Sequence, residues 1–312
     1  MAYPKPYMKS PSTLWAFDAY QRIRPRLPEP VSTSITPELV PSLAAIADRF
    51  DGFIFDAFGV LNAGDMALPT AVARFHDLQA MGKHCLVLSN AATAPQQQLV
   101  QKYRNLGFPL TQDQLISSRM LVTDALASAP EQTWAVMAPA SAHADQLPCR
   151  SFVITSQIVQ TSREKLDSAD AILMLSAQDW TEELQHGLID SLRRRPRQVW
   201  VANPDLVAPR ENGLSLEPGH YAHHLTDATG LDTVFFGKPF SNAFDAAKSR
   251  LAHIPASRLL MVGDTLHTDI LGGRCAGIST MLVTAHGALK GMDVNACIAT
   301  SGIVPDFIAP EI

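Results

Sequence analysis

The chain has 312 residues, 46% of them hydrophobic and 18% charged, with a formal net charge of −5. That length suits about two domains at ~100–200 residues each, and the acidic balance argues against a nucleic-acid partner. No segment approaches the ~18 consecutive apolar residues of a membrane span, and Cys85, Cys149, Cys275 and Cys297 lack metal-ligand spacing, so reduced thiols in a cytoplasmic protein are expected.

Residues 1–38 contain Pro4, Pro6, Pro11, Pro25, Pro28 and Pro30 and read as an extension ahead of the core, suited either to wrapping it or to an oligomer contact. Asp18 and Gln21 interrupt the apolar stretch from Leu14 to Tyr20, so no signal peptide is expected. Gly52 to Phe55 then reads as an apolar strand that delivers Asp56 at its end, where Gly59 lets the chain turn away. A buried strand alone does not explain that carboxylate, because a lone buried charge is costly. Pro69 to Met81 has helical spacing, with Val72, Phe75 and Leu78 on one side and Gly82 as the stop; strand 84–88 follows and ends in Ser89-Asn90. Pro95 opens a helix carrying Leu99, Tyr103 and Leu106, and Gly107 ends it.

A second α/β series begins near Ser118: helix 118–128, strands 133–137, 151–154 and 171–175, helix 181–194 and strand 198–202. The basic run Arg193-Arg194-Arg195-Pro196-Arg197 falls at a helix C-terminus, where cations are favourable. His220, His223 and His224 sit on one expected helix at a spacing that makes no zinc site. Thr233 to Phe236 reads as a strand ending in Gly237-Lys238-Pro239, and Arg258 to Val262 as one ending in Gly263-Asp264-Thr265-Leu266-His267-Thr268-Asp269. Alternating strands and helices argue for a doubly wound parallel sheet covered on both faces. Open α/β sheets bind ligands at the carboxyl ends of their strands, so four such ends are expected to converge on one crevice.

Those four ends resemble the motifs of the haloacid dehalogenase (HAD) superfamily: the Asp56 loop, Ser89-Asn90, Lys238 in Gly-Lys-Pro, and Gly263-Asp264 with Asp269. The run Ala202-Asn203-Pro204-Asp205 and its spacing to Lys238 are similar to class IIA, which includes sugar-phosphate, pyridoxal-phosphate and nitrophenyl phosphatases. The resemblance covers residues 40 to 312. It implies a Rossmann-like core of residues 39–117 and 232–312, with an inserted cap at 118–231 and the extension 1–38 outside both. It leaves open a homodimer formed through the cap, and it implies a small phosphorylated metabolite as substrate.

The resemblance also implies a mechanism: Asp56 attacks the phosphorus of a phosphate monoester to give an aspartyl-phosphate that water hydrolyses. Magnesium would be held by Asp56, the Phe58 carbonyl, Asp264 and Asp269, offsetting repulsion between nucleophile and substrate. Lys238 and Ser89 would stabilise the transferring oxygens, with Asn90 and Asp269 orienting them, while Asn203 and Arg210 in the cap loop would face the substrate. One departure stands out. The family usually reads Asp-x-Asp at the first motif, the second aspartate being the general acid/base, and here that residue is Phe58. His267, Asp65 and an unnamed cap residue are the candidate replacements. Haloacid dehalogenases and phosphonate hydrolases also lack that aspartate, so carbon–halogen or phosphonate chemistry is one alternative; a phosphate-ester binding protein with weak or no turnover is another.

Overall fold

The computed structural model describes residues 11–30, 35–210 and 213–312. A seven-stranded sheet carries the architecture. Its order is Glu38–Leu39, Phe307–Ala309, Ser279–Val283, Leu259–Gly263, Gly52–Phe55, His84–Ser89 and Leu115–Ser117, and every neighbouring pair is parallel. Its central strands are apolar on both faces because helices cover both: Phe53, Ile54 and Phe55 have no solvent exposure, nor have Leu260, Met261 and Val262. Phe53 and Phe55 pack on one side with Phe75 and Tyr103, whereas Ile54 and Met261 pack on the other with Phe244 and Ile116.

Leaving Gly52–Phe55, the chain builds towards one edge through His84–Ser89 and Leu115–Ser117. It later returns to the other side of Gly52–Phe55 with Leu259–Gly263. The reversal of strand order therefore lies between Gly52–Phe55 and Leu259–Gly263, the place where an open sheet leaves a crevice.

A second parallel sheet has the order Thr233–Phe235, Val199–Val201, Ala171–Met174, Thr133–Met137 and Arg150–Val153. It has its own apolar core, with Leu184 and Leu188 of the helix Glu182–Arg194 packed against Ile172, Met174 and Val201. A hairpin, Val207–Arg210 with Gly213–Leu216, projects from the end of Val199–Val201.

The strand reading of Thr233 to Phe236 holds, but its expected place in the core sheet does not. Val234 pairs with Trp200, and Phe235 packs against the second sheet's helix Pro218–Thr229 through a ring stacked on His223 at 5.1 Å. At the other end, the helix Ser118–Ser128 packs against Leu115–Ser117 and the helix Ser241–Arg250 of the first unit, while its Val122 and Leu126 reach the second sheet. Sheet membership thus departs from the expected cap boundaries of 118 and 231 at one end only, by the strand Thr233–Phe235; at the other, the helix Ser118–Ser128 touches both units. Short apolar strands read alike whichever sheet pairs with them.

The extension also has structure that its prolines obscured. Thr13–Ile23 is an α-helix whose N-cap Ser12 accepts the Trp15 N–H, and it buries Ala16, Phe17, Ala19, Tyr20 and Ile23. Residues 1–10 and 31–34 of the extension lie outside the described residues.

The first core depends on its aromatic stack. Phe75 is fully buried between Phe55 and Phe108, with ring centroids at 5.8 and 5.5 Å. Truncating such a ring removes its transfer free energy and leaves a cavity, so Phe75→Ala should cost about 3–5 kcal/mol. Urea unfolding monitored by circular dichroism measures it; a loss below about 1 kcal/mol, the scale of an exposed substitution, would show that the ring is not clamped as described.

Candidate active site

Asp56 and Asp264 emerge from paired strands at the reversal, and the Asp56 N–H donates to the Val262 carbonyl at 2.9 Å. The chain then turns sharply at Gly59 (φ 82°), where a Cβ would lie 2.5 Å from Asp264 Oδ2. No larger residue fits without moving that carboxylate. Asp264 is fixed further by the Thr265 hydroxyl at 2.9 Å and the Ala288 N–H at 2.7 Å. After Asp264 the backbone makes a wide π-type turn over Leu266–Ile270, which brings Asp269 back to accept the Thr265 N–H at 3.1 Å. Oxygens of Asp56, Asp264 and Asp269 all lie within 4.8 Å of one another.

Lys238 answers this cluster. Its ammonium pairs with Asp56 and, at 2.8 Å, with Asp269, and the side chain is only 3% exposed. Burial would depress its pKa, but Asp269, Asp56 and Asp205 together raise it, so the lysine is a fixed cation. The same burial drives Asp264 and Asp269 well above the usual carboxylate range, reinforced by repulsion from Asp56. Those shifts reflect a shortage of positive charge: with all three carboxylates ionised, one ammonium would leave an excess of two negative charges. An all-oxygen set with that excess fits a hard divalent cation such as magnesium.

Asn90 ties the parts together. Its Oδ1 accepts the Lys238 N–H at 2.7 Å, and its Nδ2 donates to the Lys238 carbonyl at 3.0 Å and to Asp205 Oδ1 at 2.8 Å. Gly237 permits this approach: at φ 128°, any Cβ would lie 2.6 Å from Asn90 Oδ1. Ser89 is buried beside it, and its hydroxyl accepts the Ala91 N–H at 3.2 Å.

These groups line a cleft of about 230 Å³ between the two sheets. Asn203, Asp205 and Arg210 also line it. Arg210 is engaged by the Ser215 hydroxyl and by Glu217 Oε1, both at 2.9 Å, and Asn203 Nδ2 donates to Glu217 Oε2 at 3.2 Å. Phe58 lines the cleft as well, packs on the first core, and lies under the Lys102 ammonium, 5.4 Å from its ring centroid.

Two of the candidate acid/base residues are poorly suited. Asp65 is outside the cleft lining and 82% exposed, and the Lys102 ammonium at 2.7 Å lowers its pKa, so it stays ionised and holds no proton to give. His267 lines the cleft but is buried, pushed down to about 3 by desolvation, and covered by the Tyr20 ring stacked at 5.0 Å. It is neither a surface histidine nor a proton donor at neutral pH. His223 is likewise buried and pushed down to about 3, in keeping with a packing role.

The sequence places Asp205 in the loop facing the centre without giving it a role, and gives Tyr103 and Tyr20 no place in the cleft at all. Asp205 stands out because burial pushes its carboxyl up to about 7, against the pull of Lys238 and Asn90. Tyr103 was read only as a helix-face residue, yet its ring lines the cleft and its buried hydroxyl has no hydrogen-bond partner among the described residues. Tyr20 comes from the proline-rich extension, whose composition gives no hint of a site.

Comparison with known proteins agrees with this geometry. A family model for haloacid dehalogenase-like hydrolases matches residues 53–147, and a HAD-hydrolase-like model matches residues 235–311. Glycerol-3-phosphate phosphatase of Gallus gallus is 27% identical over 296 residues, covering 86% of this chain and 91% of that protein. Human chronophin is 28% identical, covering 87% and 94%. The crystal structure of a "possible sugar phosphatase, HAD superfamily" from Cytophaga hutchinsonii superposes with a TM-score of 0.76 at 27% identity, covering 89% of this chain and 98% of that one. With an α/β unit inserted between Asn90 and Lys238 and a carboxylate cluster at the strand reversal, this chain belongs to the haloacid dehalogenase-like hydrolases and is of the class IIA type.

Proposed function

We propose that the chain hydrolyses small phosphate monoesters through an aspartyl-phosphate on Asp56, with magnesium as cofactor. The observation that carries this reading is the close packing of Asp56, Asp264 and Asp269 around Lys238. A binding protein would not need a nucleophile held against a lysine in this way. The named relatives are phosphatases, and a cleft of about 230 Å³ falls below the ~300–1,000 Å³ typical of sites for drug-sized ligands.

Asp56, Asp264 and Asp269, with the Phe58 backbone, would hold the cation, which would offset charge between nucleophile and phosphate. Lys238 and Ser89 orient the transferring oxygens and neutralise charge that develops there. As an Asp56 oxygen bonds to phosphorus, the bond to the ester oxygen breaks. We assign protonation of that departing oxygen to Asp205. Its Oδ1 is occupied by Asn90, which leaves Oδ2 to carry the proton. Water then attacks the aspartyl-phosphate, Asp205 takes the water proton, and phosphate leaves with Asp56 restored. The acid that position 58 lacks is thus supplied from the second unit.

The direct test is a panel of glycerol phosphate, nitrophenyl phosphate and a 2-haloacid, with and without magnesium. Asp56→Asn should lower turnover of the phosphate esters by ~10⁴-fold or more, as loss of a nucleophile does, and chelation should abolish activity. Haloacid turnover that persists under chelation would instead identify a dehalogenase.

Asp205→Asn should lower single-turnover phosphoenzyme formation from glycerol phosphate by ~10²–10⁴-fold while sparing that from nitrophenyl phosphate, whose leaving group needs no proton; hydrolysis of the phosphoenzyme, common to both, should slow equally. Because the working form of a raised carboxyl is the protonated one, alkyl-ester turnover should fall as pH rises through about 7, and the variant should lose that step. Equal losses of phosphoenzyme formation from both esters with an unchanged pH profile would remove Asp205 from the acid role.

A further inference from the structure

The helix Thr13–Ile23 lies across both units at the cleft. Its Phe17 and Tyr20 share one apolar cluster with Leu206 and Val207 of the second unit and with Leu266 and Ile270 of the first. The Tyr20 hydroxyl accepts the Leu206 N–H at 3.1 Å, while its ring stacks on His267 with the planes 14° apart. Phe17 meets the same imidazole edge-on, with centroids at 5.5 Å. Beyond the helix, Arg26 pairs with Asp227 and donates to the His223 carbonyl at 3.3 Å, which anchors the segment to the second unit. Ala16, Phe17 and Tyr20 line the same cavity as Asp56 and Lys238.

Given the phosphatase reading above, we propose that this helix is the third wall of the active-site cleft, and that Phe17 and Tyr20 are specificity-determining residues that limit the size of the leaving group. The wall is stiff. Both rings are buried, both pack on a histidine with almost no solvent exposure, and the Tyr20 hydroxyl is fixed to the Leu206 backbone, so neither ring yields without disturbing both units. The favoured substrates are esters whose alcohol has only a few heavy atoms; a fused aromatic or nucleoside alcohol would meet the rings.

The test compares naphthyl phosphate with glycerol phosphate for the wild type, Phe17→Leu, Tyr20→Leu and Tyr20→Phe. Leucine keeps apolar packing but removes the ring, so each leucine variant should shift the kcat/KM ratio towards naphthyl phosphate by about tenfold or more, the scale of a hydrophobic-pocket change. Tyr20→Phe keeps the wall and loses only the bond to Leu206, so its ratio should stay at the wild-type value while its melting temperature falls. A merely structural role would lower the melting temperature in all three without moving the ratio, and a ratio that moves by less than about twofold in both folded leucine variants would overturn the proposal. If one leucine variant fails to fold, the other decides.

Binding of the two esters to the same variants in an Asp56→Asn background, measured by calorimetry, separates this proposal from the phosphatase reading. A shifted affinity ratio without wild-type turnover would sink the phosphatase reading and keep the wall. Turnover with unshifted ratios would do the reverse.

Discussion

The structure of the site depends on one buried ammonium. Lys238 is the counter-charge that Asp56 and Asp269 share, and every carboxylate near it is either paired with it or driven towards its neutral form. Removing one partner of a buried ion pair typically costs about 3–5 kcal/mol, because the remaining charges are left uncompensated. The arrangement therefore serves placement more than stability. It holds three carboxylates and one ammonium within a few ångströms, so that a single positive charge is shared among three acids. A divalent cation would offset the charge of the remaining carboxylates, which is why this geometry fits a cation-binding site.

Lys238 lies in the turn between Thr233–Phe235 of the second sheet and the helix Ser241–Arg250 on the first, while its carboxylate partners follow strands of the first sheet. Asn90 makes this work by bonding both the N–H and the carbonyl of Lys238 while holding Asp205. The site is thus assembled by the contact between the two units, and a shift of the second unit would move Asp205 and Arg210 together. The helix Thr13–Ile23 spans that junction and limits such a shift.

Much of this was legible in the sequence. Apolar strands followed at once by Asp56, Ser89-Asn90 and Asp264 can be read without a structure, because period and composition change abruptly at a strand end. The helices from Pro69 and after Pro95 follow from proline starts and glycine stops, and Gly82 and Gly107 do adopt positive φ. What failed depended on pairing or enclosure. Thr233–Phe235 looks like any core strand, and only its partner Val199–Val201 places it in the second sheet. His267 suggested itself as an acid because it stands between two aspartates, yet Phe17 and Tyr20, about 250 residues earlier in the chain, cover it. The raised pKa of Asp205 arises from burial, a property of the closed cleft rather than of Asn-Pro-Asp.

Phe58 is the point at which sequence and family pattern disagree, and the charge balance gives a physical reason why the disagreement is tolerable. An aspartate at position 58 would add a fourth carboxylate beside a cluster whose single lysine is already outnumbered. Instead the phenyl ring packs on the first core beneath Lys102, whose ammonium is in turn held by Asp65. On the assignment proposed above, the acid resides at Asp205, farther along the chain and on the other unit. On that assignment the first unit would carry the nucleophile and the cation ligands but not the proton. Departure of a poor leaving group would then require the second unit to be seated, because Asp205 comes with it and is held there by Asn90 of the first.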